Sequence, residues 1–259
     1  VTSRGCVHSC FFCHDANSKL RVRTVENVIR EFKMIKQMGI RDVILYDQDF
    51  GQDKERAIKI CDALIKERIK LWIGCNLSIE SFDLALIRKM RRAGFWRVFY
   101  GIESACAKNY SKLDKQLSIK RIRKVLRLTE AHGLQAFGSF IFGFPGDTKN
   151  DLLRVIEFAK TLPLSYAKFV ALSPWPGKDI YNHPEKYGQM VSTCDVDMSM
   201  NMVNFVPYGM TKAEMEGLLQ LAYREFYMRP RYVLKRLLQM RTLEDFKQNL
   251  RGFLAFWRA

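Results

Sequence analysis

Cys6-Val7-His8-Ser9-Cys10-Phe11-Phe12-Cys13 is the stretch from which the rest of the chain is read. It places three thiols in a CxxxCxxC spacing close to the N-terminus. Three closely spaced thiolates on one loop can ligate three corners of a cubic iron–sulfur cluster. A cube has four irons, so three protein ligands leave one iron open to another molecule. Two other chemistries compete with that reading. A zinc site would use the same thiols with His8 or His14, and ordinary buried cysteines would need no metal, although they seldom cluster so tightly.

Downstream of the loop the chain alternates between two periodicities. Thr24 is placed to cap a helix carrying Val25, Val28, Ile29, Phe32 and Ile35 at helical spacing, closed by Gly39. The β-type run Asp42 to Tyr46 follows and stops at Asp47-Gln48-Asp49. A second helix presents Ala57, Ile58, Cys61, Leu64 and Ile65, then Leu71 to Cys75 reads as a strand ending at Asn76, and a third helix spans Phe82 to Arg92. Arg97 to Ile102 is a strand leading into Glu103-Ser104, and Ser118 caps a helix that ends at Gly133. Ala136 to Phe142 is a strand ending in Gly143-Phe144-Pro145-Gly146, Thr148 opens a helix, and Ala167 to Leu172 is the last strand. Such alternation predicts parallel strands joined by right-handed crossovers. Five strands are expected, plus a first at or before Val1-Thr2-Ser3-Arg4. In a barrel the residues just after the strands share one mouth, where active sites are built. From about Lys186 the pattern changes: Val191 to Pro207 lacks a clear period, and amphipathic helices follow from Thr211, interrupted at Arg229-Pro230-Arg231.

Bulk composition narrows the class. With 48% hydrophobic and 27% charged residues, the 259-residue chain is an ordinary globular protein. No apolar run reaches membrane-span length, no signal-peptide pattern shows, and a cytoplasmic setting is expected. The chain lacks an initiator methionine, so an excerpt of a longer protein is expected. Its net charge of +16 is spread over many helices and forms no separate nucleic-acid module, which reads as solvated helix faces. An odd count of seven cysteines argues against a disulfide framework and for a reducing compartment.

Thr2-Ser3-Arg4-Gly5-Cys6 through Cys13, with Phe12 before the third cysteine, resembles the cluster loop of the radical S-adenosylmethionine (SAM) superfamily. The resemblance implies an α/β fold: a (β/α)6 partial TIM barrel over residues 1–190 with a truncated first strand, and a helical C-terminal extension over 191–259. It implies that Cys6, Cys10 and Cys13 hold a [4Fe-4S] cluster whose open iron chelates SAM. An electron then cleaves SAM to a 5′-deoxyadenosyl radical, and a reducing partner such as flavodoxin or ferredoxin supplies that electron. Gly101-Ile102-Glu103-Ser104 resembles the fourth-strand signature and makes Glu103 and Ser104 cofactor-binding candidates. Ile141 to Thr148 resembles the fifth-strand element, in which Ile141 would pack adenine and Gly143 would permit close approach. Phe12 would lie by the adenine, and Asp47 or Asp49 near the methionine amino group. Asn76 fits a loop-capping role better, Cys61 reads as core, and Cys106 is close enough to Glu103 to reach the mouth.

Arg4-Gly5-Cys6, Gly101 to Ser104, Ser173-Pro174-Trp175-Pro176-Gly177 and Tyr223 to Pro230 together resemble the cobalamin-binding-type branch, which includes the anaerobic Mg-protoporphyrin ester cyclase-like proteins and radical SAM C-methyltransferases. Val7 stands where that branch usually has proline. The implied activity is C-methylation or oxidative cyclisation of a small-molecule substrate, with cobalamin held by a domain upstream of this sequence. The aromatic and methionine content of Val191 to Pro207 suits an apolar substrate or a lid, and core packing explains it equally. The alternatives are a methylthiotransferase acting on RNA or protein and a non-catalytic zinc or iron–sulfur module.

Overall fold

In the computed structural model, residues 1–113, 117–192 and 202–239 are described. A short antiparallel pair, β1 (Ser3–Arg4) and β2 (Arg21–Val22), carries the cysteine loop between its strands. Then follow α1 (Val25–Gln37), β3 (Asp42–Leu45), α2 (Lys54–Lys66), β4 (Trp72–Leu77), α3 (Leu84–Arg92), β5 (Phe95–Glu103), the short α4 (Ala107–Tyr110), α5 (Ile119–Ala131), β6 (Gln135–Phe142), α6 (Lys149–Thr161) and β7 (Tyr166–Ala171). The chain continues through α7 (Asp179–Asn182), β8 (Gly188–Met190), β9 (Phe205–Pro207), α8 (Lys212–Tyr227) and α9 (Pro230–Gln239).

Strands β3 to β7 form one parallel sheet in sequence order, curled into a half-barrel. Each helix returns the chain to the next strand, so every strand's carboxyl end faces the same side. The expected caps are in place: Thr24, Ser118, Thr148 and Thr211 each accept a backbone N–H of the helix they precede, and Thr148 and Thr211 form full capping boxes with Asp151 and Glu214. The core of α2 centres on Ala57, Ile60, Cys61 and Leu64, so Ile60 takes the inward place the sequence reading assigned to Ile58.

One strand departs from expectation. Ser3–Arg4 pairs antiparallel with Arg21–Val22 and is not a rung of the parallel sheet, which has five strands. The reason lies in its hydrogen bonds: the Thr2 carbonyl is taken by the Arg23 N–H at 3.0 Å and by Arg56 Nη2 at 2.7 Å.

The two faces of the sheet differ. Toward the helices point Val98, Tyr100, Ile102, Ala136, Phe140, Phe142, Ala167 and Phe169, all buried. Toward the concave side point Arg97, Phe99, Gly101, Phe137, Ser139 and Lys168, all only partly buried, and Tyr166 and Trp72, which are exposed. A closed eight-stranded barrel fills its interior with side chains; this half-barrel leaves an accessible lumen.

Helix α8 runs down the outer edge of β7. The Tyr223 hydroxyl accepts the Phe169 N–H at 3.3 Å and donates to the Phe169 carbonyl at 2.9 Å. Tyr227 does the same at Ala167, at 3.1 and 2.7 Å. Two phenols thus stand in for a neighbouring strand and satisfy an edge that would otherwise be open to pairing. β8 and β9 pair across the expected boundary at 190/191. The apolar positions Leu243, Phe246, Leu250 and Phe253 lie outside the described residues, as does Cys194. Among the described residues no helix is long and apolar enough to cross a membrane.

Candidate active site

The cysteine loop is a folded element. Gly5 has φ of 100°, and a Cβ there would stand 2.3 Å from the Lys19 carbonyl, so only glycine lets the two ends of the loop pass so closely. The Cys6 N–H donates to Ser18 Oγ at 2.9 Å, the Ser18 N–H to the Cys6 carbonyl at 3.0 Å, and the Asn17 N–H to the His8 carbonyl at 2.9 Å. Inside that frame the Cys13 N–H meets the Cys10 carbonyl at 3.1 Å. Cys10 is buried, and Cys6 and Cys13 are half-buried. An all-thiol donor set on one pinned loop fits an iron–sulfur cluster.

The loop rests on the carboxyl end of the sheet and touches most of it. Asp15 Oδ2 accepts from Gln48 Nε2, after β3, at 3.0 Å. Cys10 Sγ donates to the Leu113 carbonyl, after β5, at 3.0 Å. The rings of Phe11 and Phe12 each lie 6.0 Å from Phe144, after β6, and His14 lies 5.4 Å from Trp175, after β7. The segments that follow β3, β5, β6 and β7 therefore all meet the cysteine loop.

Individual candidates take distinct places. Glu103 is nearly buried and has φ of 65°, rare for a residue with a Cβ. The Ser104 N–H donates to the Ile102 carbonyl at 2.8 Å, so Glu103 sits at the apex of a γ-turn with positive φ, a strained form. Backbone strain of this kind concentrates at functional sites. Ser104 is fully buried, and its hydroxyl accepts from the Cys106 N–H and from Asn109 Nδ2, both at 3.1 Å. Ile141 is on the concave side at the mouth.

Asp47 and Gly143 do other work than expected. The Asp47 carboxylate is fully buried; it accepts the Thr2 N–H at 2.5 Å, the Ser3 hydroxyl at 2.7 Å and the Thr2 hydroxyl. It ties the entering chain to β3 and is spent in doing so. Asp49 is likewise held, by the Gly51 N–H at 3.0 Å and Ser81 Oγ at 2.6 Å. At Gly143 the group that comes close is the Met215 methyl of α8, 2.8 Å from where a Cβ would stand. The glycine admits the helical extension. Asn76 Nδ2 donates to the Asp47 carbonyl at 2.9 Å, the loop-capping role expected of it.

A buried polar network joins the loops after β5 and β6. Asn109 Nδ2 also donates to Asp147 Oδ1 at 2.9 Å, and Asp147 Oδ2 accepts the Phe144 N–H at 3.0 Å. Lys108 Nζ bonds Asp151 Oδ2 at 2.6 Å and the Gly146 carbonyl at 2.7 Å. Burial raises the Asp147 pKa against the pull of Asn109 and Lys108. For Asp151 burial pushes upward, but Lys108 and the Thr148 hydroxyl and N–H outweigh it and hold the carboxyl well below the ordinary range. Burial, then Asp151, raises the Cys106 thiol. Asn109 and Lys108 were not singled out in the sequence, and Phe144 and Trp175 stood there only inside quoted motifs, without a role of their own. Gly-Phe-Pro-Gly-Asp signals a turn, but nothing local signals a partner as remote as Asn109.

With this geometry in place, comparison with known proteins is direct. Residues 1–159 match the family model of the Radical SAM superfamily. An uncharacterised methyltransferase of Pyrococcus horikoshii, PH0819, is 28% identical over 98% of this chain and 56% of its own length. The anaerobic magnesium-protoporphyrin IX monomethyl ester cyclase of Rubrivivax gelatinosus is 25% identical over 87% of this chain and 41% of its own. Methylthiotransferases match with less of the chain. The chain thus spans about half the length of the curated relatives it matches. Among solved structures, the radical SAM methyltransferase TsrM of Kitasatospora setae, with cobalamin and a [4Fe-4S] cluster bound, superposes with a TM-score of 0.67 at 18% identity, over 87% of this chain and 46% of that one. At that identity the likeness speaks to the fold.

Proposed function

Since this chain belongs to the radical SAM superfamily, whose members use a [4Fe-4S] cluster and SAM, we propose that it carries the cluster on Cys6, Cys10 and Cys13 and works as a C-methyltransferase or oxidative cyclase on a small molecule. The observation that carries this reading is the cysteine loop seated on the ends of β3, β5, β6 and β7 together. Bound there, the cluster would supply the electron that splits SAM into methionine and a 5′-deoxyadenosyl radical. The chain's own residues position the cofactor and shield the radical. Phe12 and Ile141 offer apolar surface for adenine, and the Glu103 carboxylate, at the apex of its turn, accepts hydrogen bonds from ribose hydroxyls or the SAM ammonium. Asp47, Ser104 and the Asp147–Asn109 pair hold the loops that carry these groups.

A methyl-transferring or cyclising role is supported by the relatives named above, and the use of cobalamin by the neighbour that has it bound. The electron donor is assigned to the flavodoxin or ferredoxin class, and the compartment to a reducing cytoplasm. The methylthiotransferase reading ranks second because its relatives match less of the chain.

Anoxic reconstitution with iron and sulfide tests the assignment. A brown protein is expected, with an EPR signal on reduction that changes when SAM is added, and with 5′-deoxyadenosine as product. Cys13→Ala should lose both cluster loading and product entirely. Retained 5′-deoxyadenosine formation in that variant would reject the ligand assignment, and a colourless protein holding stoichiometric zinc would reject the chemistry.

A further inference from the structure

The strand pair that carries the cysteine loop presents cations without counterions. In the antiparallel pair β1–β2, Arg4 lies directly opposite Arg21, so both side chains stand on one side of the ribbon. Lys19 is alongside, its carbonyl 2.3 Å from where a Cβ on Gly5 would stand. All three residues are exposed, and among the described residues none of them has an acidic partner. Neighbouring charges are engaged elsewhere: Asp15 with Gln48 and His14, and Glu31 with Arg23. Glu26 sits in the first turn of α1, where the helix dipole favours it. Like charges set directly opposite each other across a strand pair are destabilising. A hairpin that served only to hold the loop would be more stable with one of the two arginines neutral.

The patch borders the thiols. Arg4 is two residues from Cys6, so their backbones are no more than roughly 7 Å apart. The Cys6 N–H is bonded to Ser18, the residue before Lys19. Val7, one residue beyond Cys6, is 61% exposed, and Val22, beside Arg21, is 48% exposed. Cations around a small exposed apolar centre suit a transient encounter with an acidic protein. A nucleic-acid groove would add rings on which bases stack, and the rings here, Phe11 and Phe12, are turned to Phe144. We propose that Arg4, Lys19 and Arg21 are the docking surface for the acidic redox protein that reduces the cluster. This deepens the proposed function and rests on it. The step served is a one-electron transfer: the donor's flavin passes from anionic hydroquinone to neutral semiquinone, the cluster from 2+ to 1+, and no proton moves.

The encounter is tested by running that step in reverse, without SAM or turnover. The reconstituted chain is reduced photochemically and mixed with the semiquinone of a flavodoxin of net negative charge, and the flavin is followed by stopped-flow absorbance. The ionic strength is held at about 0.1 M, where the screening length is about 10 Å and only charges near the docking site count. Lys19→Glu combined with Arg21→Glu should lower the second-order rate constant about tenfold, and Lys19→Gln with Arg21→Gln should lower it less. Lys124→Glu with Arg127→Glu makes the same change of charge on the exposed side of α5 and should stay within about twofold of wild type. Benzyl viologen, a small dication, should oxidise the cluster of every variant at least as fast as that of wild type, which shows that each is folded and loaded. A hairpin variant that keeps the wild-type rate would overturn the proposal, as would an equal fall in the α5 variant, since net charge would then steer the donor. Loss of polyuridylate binding in a hairpin variant that still reacts with flavodoxin at full rate would give the surface to nucleic acid instead. A chain that loads its cluster and reacts with viologen, yet shows no hairpin effect, rejects the docking surface alone. A chain that takes up no cluster rejects the proposed function, and the donor with it.

Discussion

Turned toward the helices, β5 and β6 present Val98, Tyr100, Ile102, Phe140 and Phe142, each no more than 1% exposed. Turned toward the lumen, the same two strands present Arg97, Phe99, Gly101, Phe137 and Ser139, none of them fully buried. The backbone is common to both faces, since side chains alternate with a period of two. The difference shows how one sheet divides its tasks. The convex face must exclude water completely, because that burial holds the helices in place. The concave face must remain partly open, because a molecule that reacts there has to enter. A mixture of rings, one cation and small residues is what such a surface needs.

The sharpest way to break the comparison is to truncate one ring on each face. Phe140→Ala removes a fully buried ring stacked on Phe169 at 5.2 Å and should cost about 3–5 kcal/mol in urea unfolding. Phe137→Ala removes a partly exposed ring and should cost only about 1 kcal/mol, the scale of lost aromatic pairs. Equal costs for the two variants would mean the lumen is as tightly packed as the convex core.

The comparison extends to the edges of the sheet. Tyr227→Phe leaves the packing of α8 intact but orphans the Ala167 N–H and carbonyl, and should cost about 1–2 kcal/mol. No measurable loss would show that the edge of β7 is satisfied without the phenol. The smallest effect concerns the mouth. Asp151 has a folded-state pKa below its unfolded value, so its contribution is fully present above about pH 4 and is lost as pH falls through the folded value. Asp151→Asn should therefore cost about 1 kcal/mol near neutrality, and the gap to wild type should close as the pH is lowered below 4. Asp147 titrates with the opposite sign: its raised pKa stabilises below about pH 4 and the gain is lost as pH rises through the folded value. A gap that stays constant from pH 7 to 3 would remove Asp151 from the charge network.

Much of this was legible in the order of residues. Alternating periods of two and near four, with caps at Thr24, Ser118, Thr148 and Thr211, prescribe strand and helix locally, and each depends on contacts a few residues long. The cysteine spacing is equally local, and so was readable. What could not be read is what depends on distant partners. Asp47 is a strand-end acid in sequence, and only the arrival of Thr2 and Ser3 turns it into a buried anchor. Gly143 invites a ligand on paper, and only the packing of α8 fills its open side with Met215. A truncated first strand was expected at or before Val1 to Arg4, yet the Thr2 carbonyl is taken by Arg23 and Arg56, and Ser3–Arg4 pairs with Arg21–Val22 outside the parallel sheet. Spacing along the chain determined that three thiols, Cys6, Cys10 and Cys13, share one short loop. Which polar groups remain to face a ligand, and which are consumed in holding the mouth together, was decided by tertiary hydrogen bonds, because a buried donor or acceptor takes whatever partner folding brings to it.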